Sequence, residues 1–226
     1  MGACPTICVK NLSLSYGSDY IFHHVSFHAF SGEIIGITGI SGSGKSSLFH
    51  CLCGVIPNLI EGELGGEILI NNESLCQLTL PEISTRVGIV FQNPETQLFL
   101  PTVEDEVAFG AENLCLPHHE LMERIEKALA TTGMSQHRMD SPSLLSGVQK
   151  QLVALAAVLS MEPCILLLDE VFAQVDAAGR ERILPTISQL AADGKTILMI
   201  DHNPDNLKIC TRLLHLENGV LKECKA

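Results

Sequence analysis

Eight consecutive residues, Gly39-Ile40-Ser41-Gly42-Ser43-Gly44-Lys45-Ser46, have the types and spacing of a phosphate cradle, G-x-x-x-x-G-K-[ST]. Glycines let the backbone curl until successive N–H groups point at phosphate oxygens, and a helix N-terminus behind them adds partial positive charge. Lys45 is placed to reach the β and γ phosphates, the Ser46 hydroxyl to ligate Mg²⁺, and Ser47 is counted with them among the nucleotide-binding residues. The competing reading is a fortuitous glycine-rich turn. The setting argues against it: Glu33 to Thr38 reads as a buried strand and Lys45 to Cys53 as a helix, which is the context the motif requires. Nucleotide binding is the chemistry expected.

A second constellation closes an apolar run, Ile165-Leu166-Leu167-Leu168-Asp169-Glu170. A buried strand would carry Asp169 to the phosphate side of a sheet, where it can hold Mg²⁺ or its water shell, and place Glu170 to polarise an attacking water. A solvated acidic pair at a strand end is equally compatible with this segment alone.

The elements that must position these groups follow from periodicity and punctuation. Thr6 to Tyr16 and Tyr20 to Phe30 alternate apolar and polar residues about a Gly17-Ser18-Asp19 turn, as half-exposed antiparallel strands do. Gly66 to Ile70 and Val87 to Phe91 read as strands. Residues from Pro101 to about Ser143 change to helical spacing, broken at Pro117 and Gly133. Beyond them Ser146 to Ser160 reads as a helix, Cys164 to Asp169 as a strand, Ala178 to Ala192 as a helix, and Thr196 to Ile200 as a strand, followed by Leu213 to Leu216 and Val220 to Leu221. The expectation is one α/β domain of the P-loop NTPase kind over residues 1–226. It has a mostly parallel sheet core, an N-terminal antiparallel β part and an inserted helical subdomain at about 101–159.

Composition bounds the function. A net charge of −12, with 14 Lys and Arg spread along the chain, argues against nucleic-acid binding. Nine cysteines, odd in number and without a CxxC pair, read as buried hydrophobes in a reducing compartment rather than as zinc ligands or disulfides. No apolar run is long enough to span a bilayer, and no basic stretch followed by an apolar one opens the sequence, so a soluble or peripheral chain is expected.

Leu145-Ser146-Gly147-Val148-Gln149, some twenty residues before the acidic strand, resembles the L-S-G-G-Q signature of the ABC transporter ATPases. The resemblance covers essentially the whole chain. It implies a head-to-tail dimer in which Ser146, Gly147 and Gln149 face the partner's ATP, with Ser146 and the Gly147 N–H on its γ phosphate. It further implies that Tyr16 stacks on adenine, that Gln92 joins Mg²⁺ and water to a transmembrane partner, that His202 contacts the γ phosphate, and that Asp176 couples the two sites. Taken alone, Tyr16 reads as packing, His202 as a loop residue and Ser146 as a helix cap.

The stretch from Phe91-Gln92-Asn93-Pro94-Glu95 through Phe109-Gly110 to Leu116-Pro117, with Glu61-Gly62-Glu63 and Gly65-Gly66-Glu67, is similar to the ATPases of energy-coupling-factor importers. That resemblance implies a second ATPase subunit, a transmembrane coupling protein and a substrate-binding membrane subunit for a vitamin or metal ion. It places the chain on the cytoplasmic face of the membrane. Generic ABC importers, a soluble non-transport ABC ATPase and a hydrolysis-impaired regulatory subunit are the alternatives. Three departures stand out: Val148 for the second signature glycine, Leu152 where the family often has arginine, and Val171-Phe172 after Glu170. Val148 is expected to put a β-branched side chain where backbone approaches phosphate, which points to a heterodimer with unequal sites.

Overall fold

The computed structural model describes residues 4–173 and 175–224. The first sheet is antiparallel, built from β1 (Ile7–Tyr16), β2 (Asp19–Ala29), β4 (Glu63–Ile70) and the short β5 (Glu73–Ser74) in the order β2-β1-β4-β5. The second has six strands: β3 (Ile34–Thr38), β6 (Val87–Val90), β7 (Ile165–Asp169), β8 (Thr196–Ile200), β9 (Arg212–Glu217) and β10 (Val220–Cys224). Their order is β10-β9-β3-β8-β7-β6, parallel throughout except for the β9–β10 hairpin.

The central strands are near-continuous runs of branched apolar residues because both of their faces are covered. Alternation then divides them between two cores. Leu166, Leu168, Ile197 and Met199 point into one core with the helices α4 (Val103–Glu112), α5 (His118–Thr132), α6 (Gly147–Leu159) and α7 (Ala177–Ala192). Ile165, Leu167, Leu198 and Ile200 point into the other, shared with α1 (Lys45–Leu52) and the inner face of the antiparallel sheet. Truncating Leu167 to alanine would cost roughly 2–5 kcal/mol. Single-turn helices α2 (Val55–Asn58), α3 (Leu80–Ser84) and α8 (Pro204–Leu207) complete the connections.

β4 starts three residues before the alternation predicts. Glu63 to Gly65 pair with Ser15 to Ser13 beyond a register shift, where Asn11 has φ 48° and Gly66 φ 88°. A side chain at Gly66 would come within 2.4 Å of the Asn11 carbonyl, so the bulge requires glycine and hides the strand's period.

Candidate functional site

The glycine-rich segment follows β3 and opens α1. Gly39 has φ 152°, and a Cβ there would lie 2.3 Å from the Leu216 carbonyl oxygen. Only glycine lets the loop leave the sheet so close to β9. Lys45 is buried, and its Nζ donates to the carbonyls of Gly39 and Ile40 at 3.0 and 2.9 Å, so the ammonium is held inside the loop's curl. Burial pushes Lys45 below the usual lysine range, opposed by the charges of Glu170 and Asp169.

Three features fit this loop to a phosphate group. The Ser43 hydroxyl is buried without a hydrogen-bond partner among the described residues. The space before Gly42 is open. Among the described residues no side chain caps α1, and no acidic residue lies in its first turn, leaving N–H groups for an anion. Opposite, Asp169 closes β7 with its carboxyl raised by burial and drawn back down by a hydrogen bond with Ser46. Ser46 and Asp169 are two hard oxygen ligands of the kind Mg²⁺ takes, and the ion would need nucleotide and water oxygens to complete six.

Glu170 leaves the strand in the left-handed region, φ 49°, at a cost on the order of 1 kcal/mol. Its N–H donates to the Ile200 carbonyl at 3.1 Å. The turn aims the carboxylate along the strand ends rather than away from them. Gln92 Nε2 donates to Glu170 Oε2 at 3.1 Å, and His202 Nε2 lies 3.0 Å from Oε1. These residues follow β6, β7 and β8, three neighbours in the sheet. The carboxylate is thus bracketed by an amide and an imidazole at the carboxyl ends of parallel strands, where open α/β sheets bind ligands.

The other predicted residues are held elsewhere. Ser146 caps α6: its hydroxyl accepts from the Gln149 N–H at 3.3 Å, and Gln149 Oε1 accepts from the Ser146 N–H at 2.9 Å, with Gly147 the first helical residue between them. Asp176 caps α7, accepting from the Gly179 N–H at 2.8 Å. Tyr16 is 39% exposed at the end of β1. Its hairpin reaches the cradle through Ile21, whose Cγ2 would lie 2.6 Å from a Cβ at Gly44. Ser41 is exposed and Ser47 half-buried. Val148 turns its side chain towards Gly179 on α7 instead of outward from the signature turn, contrary to the expectation from its type. Leu152, Val171 and Phe172, the other departures, are core residues.

Several supporting residues were not singled out by sequence. Asp201, buried, accepts from the Asn203 N–H at 2.6 Å and from Asn206 Nδ2 at 2.9 Å, fixing the turn that carries His202. Gln97 clamps the turn after β6 by accepting from the Phe91 N–H and donating to the Ile89 carbonyl. Gln151 on α6 donates to the Phe91 carbonyl at 3.1 Å, and Lys150 pairs with Glu95 at 2.6 Å. The signature helix and the Gln92 turn are therefore bonded to one another. The sequence signals were the adjacency of Asp201 to His202 and the place of Glu95 and Gln97 in the stretch that resembles the importer ATPases.

Between that turn and α4 lies a groove of about 240 Å³. Phe99 and Phe109 stand at it edge to face, 5.3 Å apart and 68% and 48% exposed. Beneath them Glu106 is buried and accepts from the Leu100 N–H. Burial raises its carboxyl, against the pull of the Leu100 and Phe99 N–H groups. No helix of the described residues is long and apolar enough to cross a membrane.

Comparison with known proteins agrees with this arrangement. Residues 22–173 match the model of the ABC transporter family. The energy-coupling factor transporter ATP-binding protein EcfA1 of Streptococcus thermophilus is 38% identical over 215 residues, 93% of this chain and 76% of that protein. An ABC transporter ATP-binding protein of Pyrococcus horikoshii is 42% identical over 202 residues, 88% of this chain and 71% of that one. Among solved structures, cbiO1 of Clostridium perfringens, part of the ABC transporter complex cbiONQ, superposes with a TM-score of 0.87 at 30% identity, covering 96% of this chain and 87% of that one. A bacterial Atm1-family ABC exporter with ATP bound superposes at 0.80 and 25% identity, with this chain spanning 39% of its length. With a cradle, an acidic strand end and a signature helix on one P-loop fold, the chain belongs to the ABC transporter family and is an ATPase of it.

Proposed function

We propose that the chain energises an importer of the energy-coupling-factor type for a vitamin or a metal ion, bound peripherally at the cytoplasmic face of the membrane. The observation that carries hydrolysis is the bracketed carboxylate, Gln92–Glu170–His202, beside the buried Lys45. Glu170 takes the proton of an attacking water, with His202 and Gln92 fixing its orientation. Lys45 and the loop N–H groups from Gly39 to Ser47 hold the triphosphate, while Tyr16 meets the adenine. Ser46, Asp169 and Gln92 would hold Mg²⁺, which would supply neutralisation of the charge developing on the phosphate oxygens. Ser146, Gly147 and Gln149 act on the nucleotide of a second ATPase subunit, and Asp176 links the two sites.

The importer type is supported by the relatives named as energy-coupling factor ATPases and by the cbiO1 likeness. The groove at Phe99 and Phe109 offers the transmembrane coupling protein an aromatic hold on the turn that carries Gln92. Residues 101–159 act as the unit that moves with that partner. Co-expression with candidate membrane subunits tests the reading. An importer ATPase co-purifies with a coupling protein and a substrate-binding subunit and hydrolyses ATP faster in their company. Full ATPase activity alone, with no membrane subunit retained, contradicts it.

A further inference from the structure

The Ser146 cap is the inner end of a longer relay. Ser146 donates its N–H to Gln149 Oε1 at 2.9 Å, so the NH₂ end of that amide faces His137 Nε2, 3.0 Å away. An amide NH₂ only donates, so Nε2 is the bare nitrogen of the ring. The ring proton then lies on Nδ1, 2.6 Å from Asp140 Oδ2, which accepts it. Asp140 and His137 belong to a turn stitched to the start of α4 by Val103 N–H to the Asp140 carbonyl at 3.0 Å and Glu104 N–H to the Arg138 carbonyl at 2.9 Å. We propose that His137, clamped by Asp140, is a positioning residue that sets the Ser146 cap through Gln149. The functional consequence rests on the reading of Ser146 as a contact to the partner subunit's nucleotide.

The device is sensitive to protonation because of its geometry. A proton on Nε2 sets two donors against each other at a distance where a hydrogen bond stood, and the amide must rotate or the ring withdraw. Rotation takes Oε1 from the Ser146 N–H, and withdrawal of the ring removes the hydrogen bond that holds the amide in place beneath it. The His137 side chain is 34% exposed, so its proton exchanges with solvent. The charges nearby are accounted for: Asp140 on the same turn bonds the ring, Arg138 on that turn is engaged by Glu104 and Glu126, and Lys150 on α6 by Glu95. Among the described residues, Asp140 supplies the charge in direct contact with His137.

Nuclear magnetic resonance on the isotope-labelled full chain, titrated from about pH 8 to about pH 5.5 to span a histidine's titration, reads both ends of the relay. The ring signal of His137 is the one lost in His137→Gln. The amide signals of Ser146 and Gln149 are expected to move with its midpoint and to stay level in His137→Gln, which keeps an acceptor opposite Gln149 but does not titrate. In Asp140→Asn, which loosens the clamp on the ring, the Ser146 and Gln149 amide signals are expected to move from their wild-type positions at a fixed neutral pH. Amides that stay still while the His137 ring titrates overturn the proposal. In the assembled transporter, ATPase activity is expected to fall on the acid side about fivefold further in the wild type than in His137→Gln, the size of a lost helix cap. If the amides follow His137 but the two activity profiles coincide, the positioning role is upheld and the nucleotide role of Ser146 fails.

Discussion

Val148 fills the space that Gly179 leaves open: a Cβ at position 179 would come within 2.4 Å of Val148 Cγ2. The valine that replaces a signature glycine is therefore partly buried between α6 and the first turn of α7, beside the Asp176 cap. Its type suggested an obstruction to the partner's phosphate. Its side chain instead packs inward, while its N–H lies in the first turn of α6, where helix N–H groups lack intrahelical partners.

This fit predicts a coupled pair. Gly179→Ala should destabilise the chain by about 1–3 kcal/mol, because Val148 and Val175 must both give way. Val148→Ala in the same chain should recover part of that loss, giving a coupling energy of about 1 kcal/mol in urea denaturation. Strictly additive effects would show that the two positions do not share space.

The aromatic pair predicts a split between coupling and hydrolysis. Replacing Phe99 and Phe109 together by alanine should weaken the hold on the coupling protein by on the order of 2 kcal/mol, about 30-fold. The isolated chain should bind ATP as before, since both rings line the groove by α4 and not the pocket at Glu170 and His202. Quantitative pull-down of the membrane subunit and an ATP-binding assay on the same preparation separate the two effects.

Glu106 predicts a pH dependence of stability. Its carboxyl is raised by burial, so the folded chain holds that proton more tightly than the unfolded chain does. Between the ordinary carboxylate range and the raised value the native state binds more protons, and stability falls as pH rises through that window. Glu106→Gln removes this component, so the variant's thermal midpoint should fall less than the wild type's over the same span. Identical slopes would place the titration elsewhere.

Much of the site was legible because it is carried by short segments with fixed chemistry. The Gly39 to Ser46 loop and the Ile165 to Glu170 strand announce themselves by residue type, and the sheet puts their ends on either side of β8. The order β3-β8-β7-β6 was not legible, since parallel neighbours are chosen by crossovers and not by local pattern. Gln92 and His202 became meaningful through resemblance, and their bonds to Glu170 required the fold. The relay from Asp140 to Ser146 was hidden for the same reason: His137 and Gln149 are twelve residues apart and meet only when the turn before α6 folds back. Val148 was misjudged because its fit depends on a glycine that lies far along the chain.

Hydrolysis centred on the bracketed Glu170 is the core of this account. The most direct measurement compares ATP binding and turnover of wild type and Glu170→Gln, with the membrane partner present. ATP affinity should be nearly unchanged while turnover falls by about 10²–10⁴. Turnover equal to that of the wild type, with binding intact, would contradict the assignment of Glu170 as the base and the mechanism built on it.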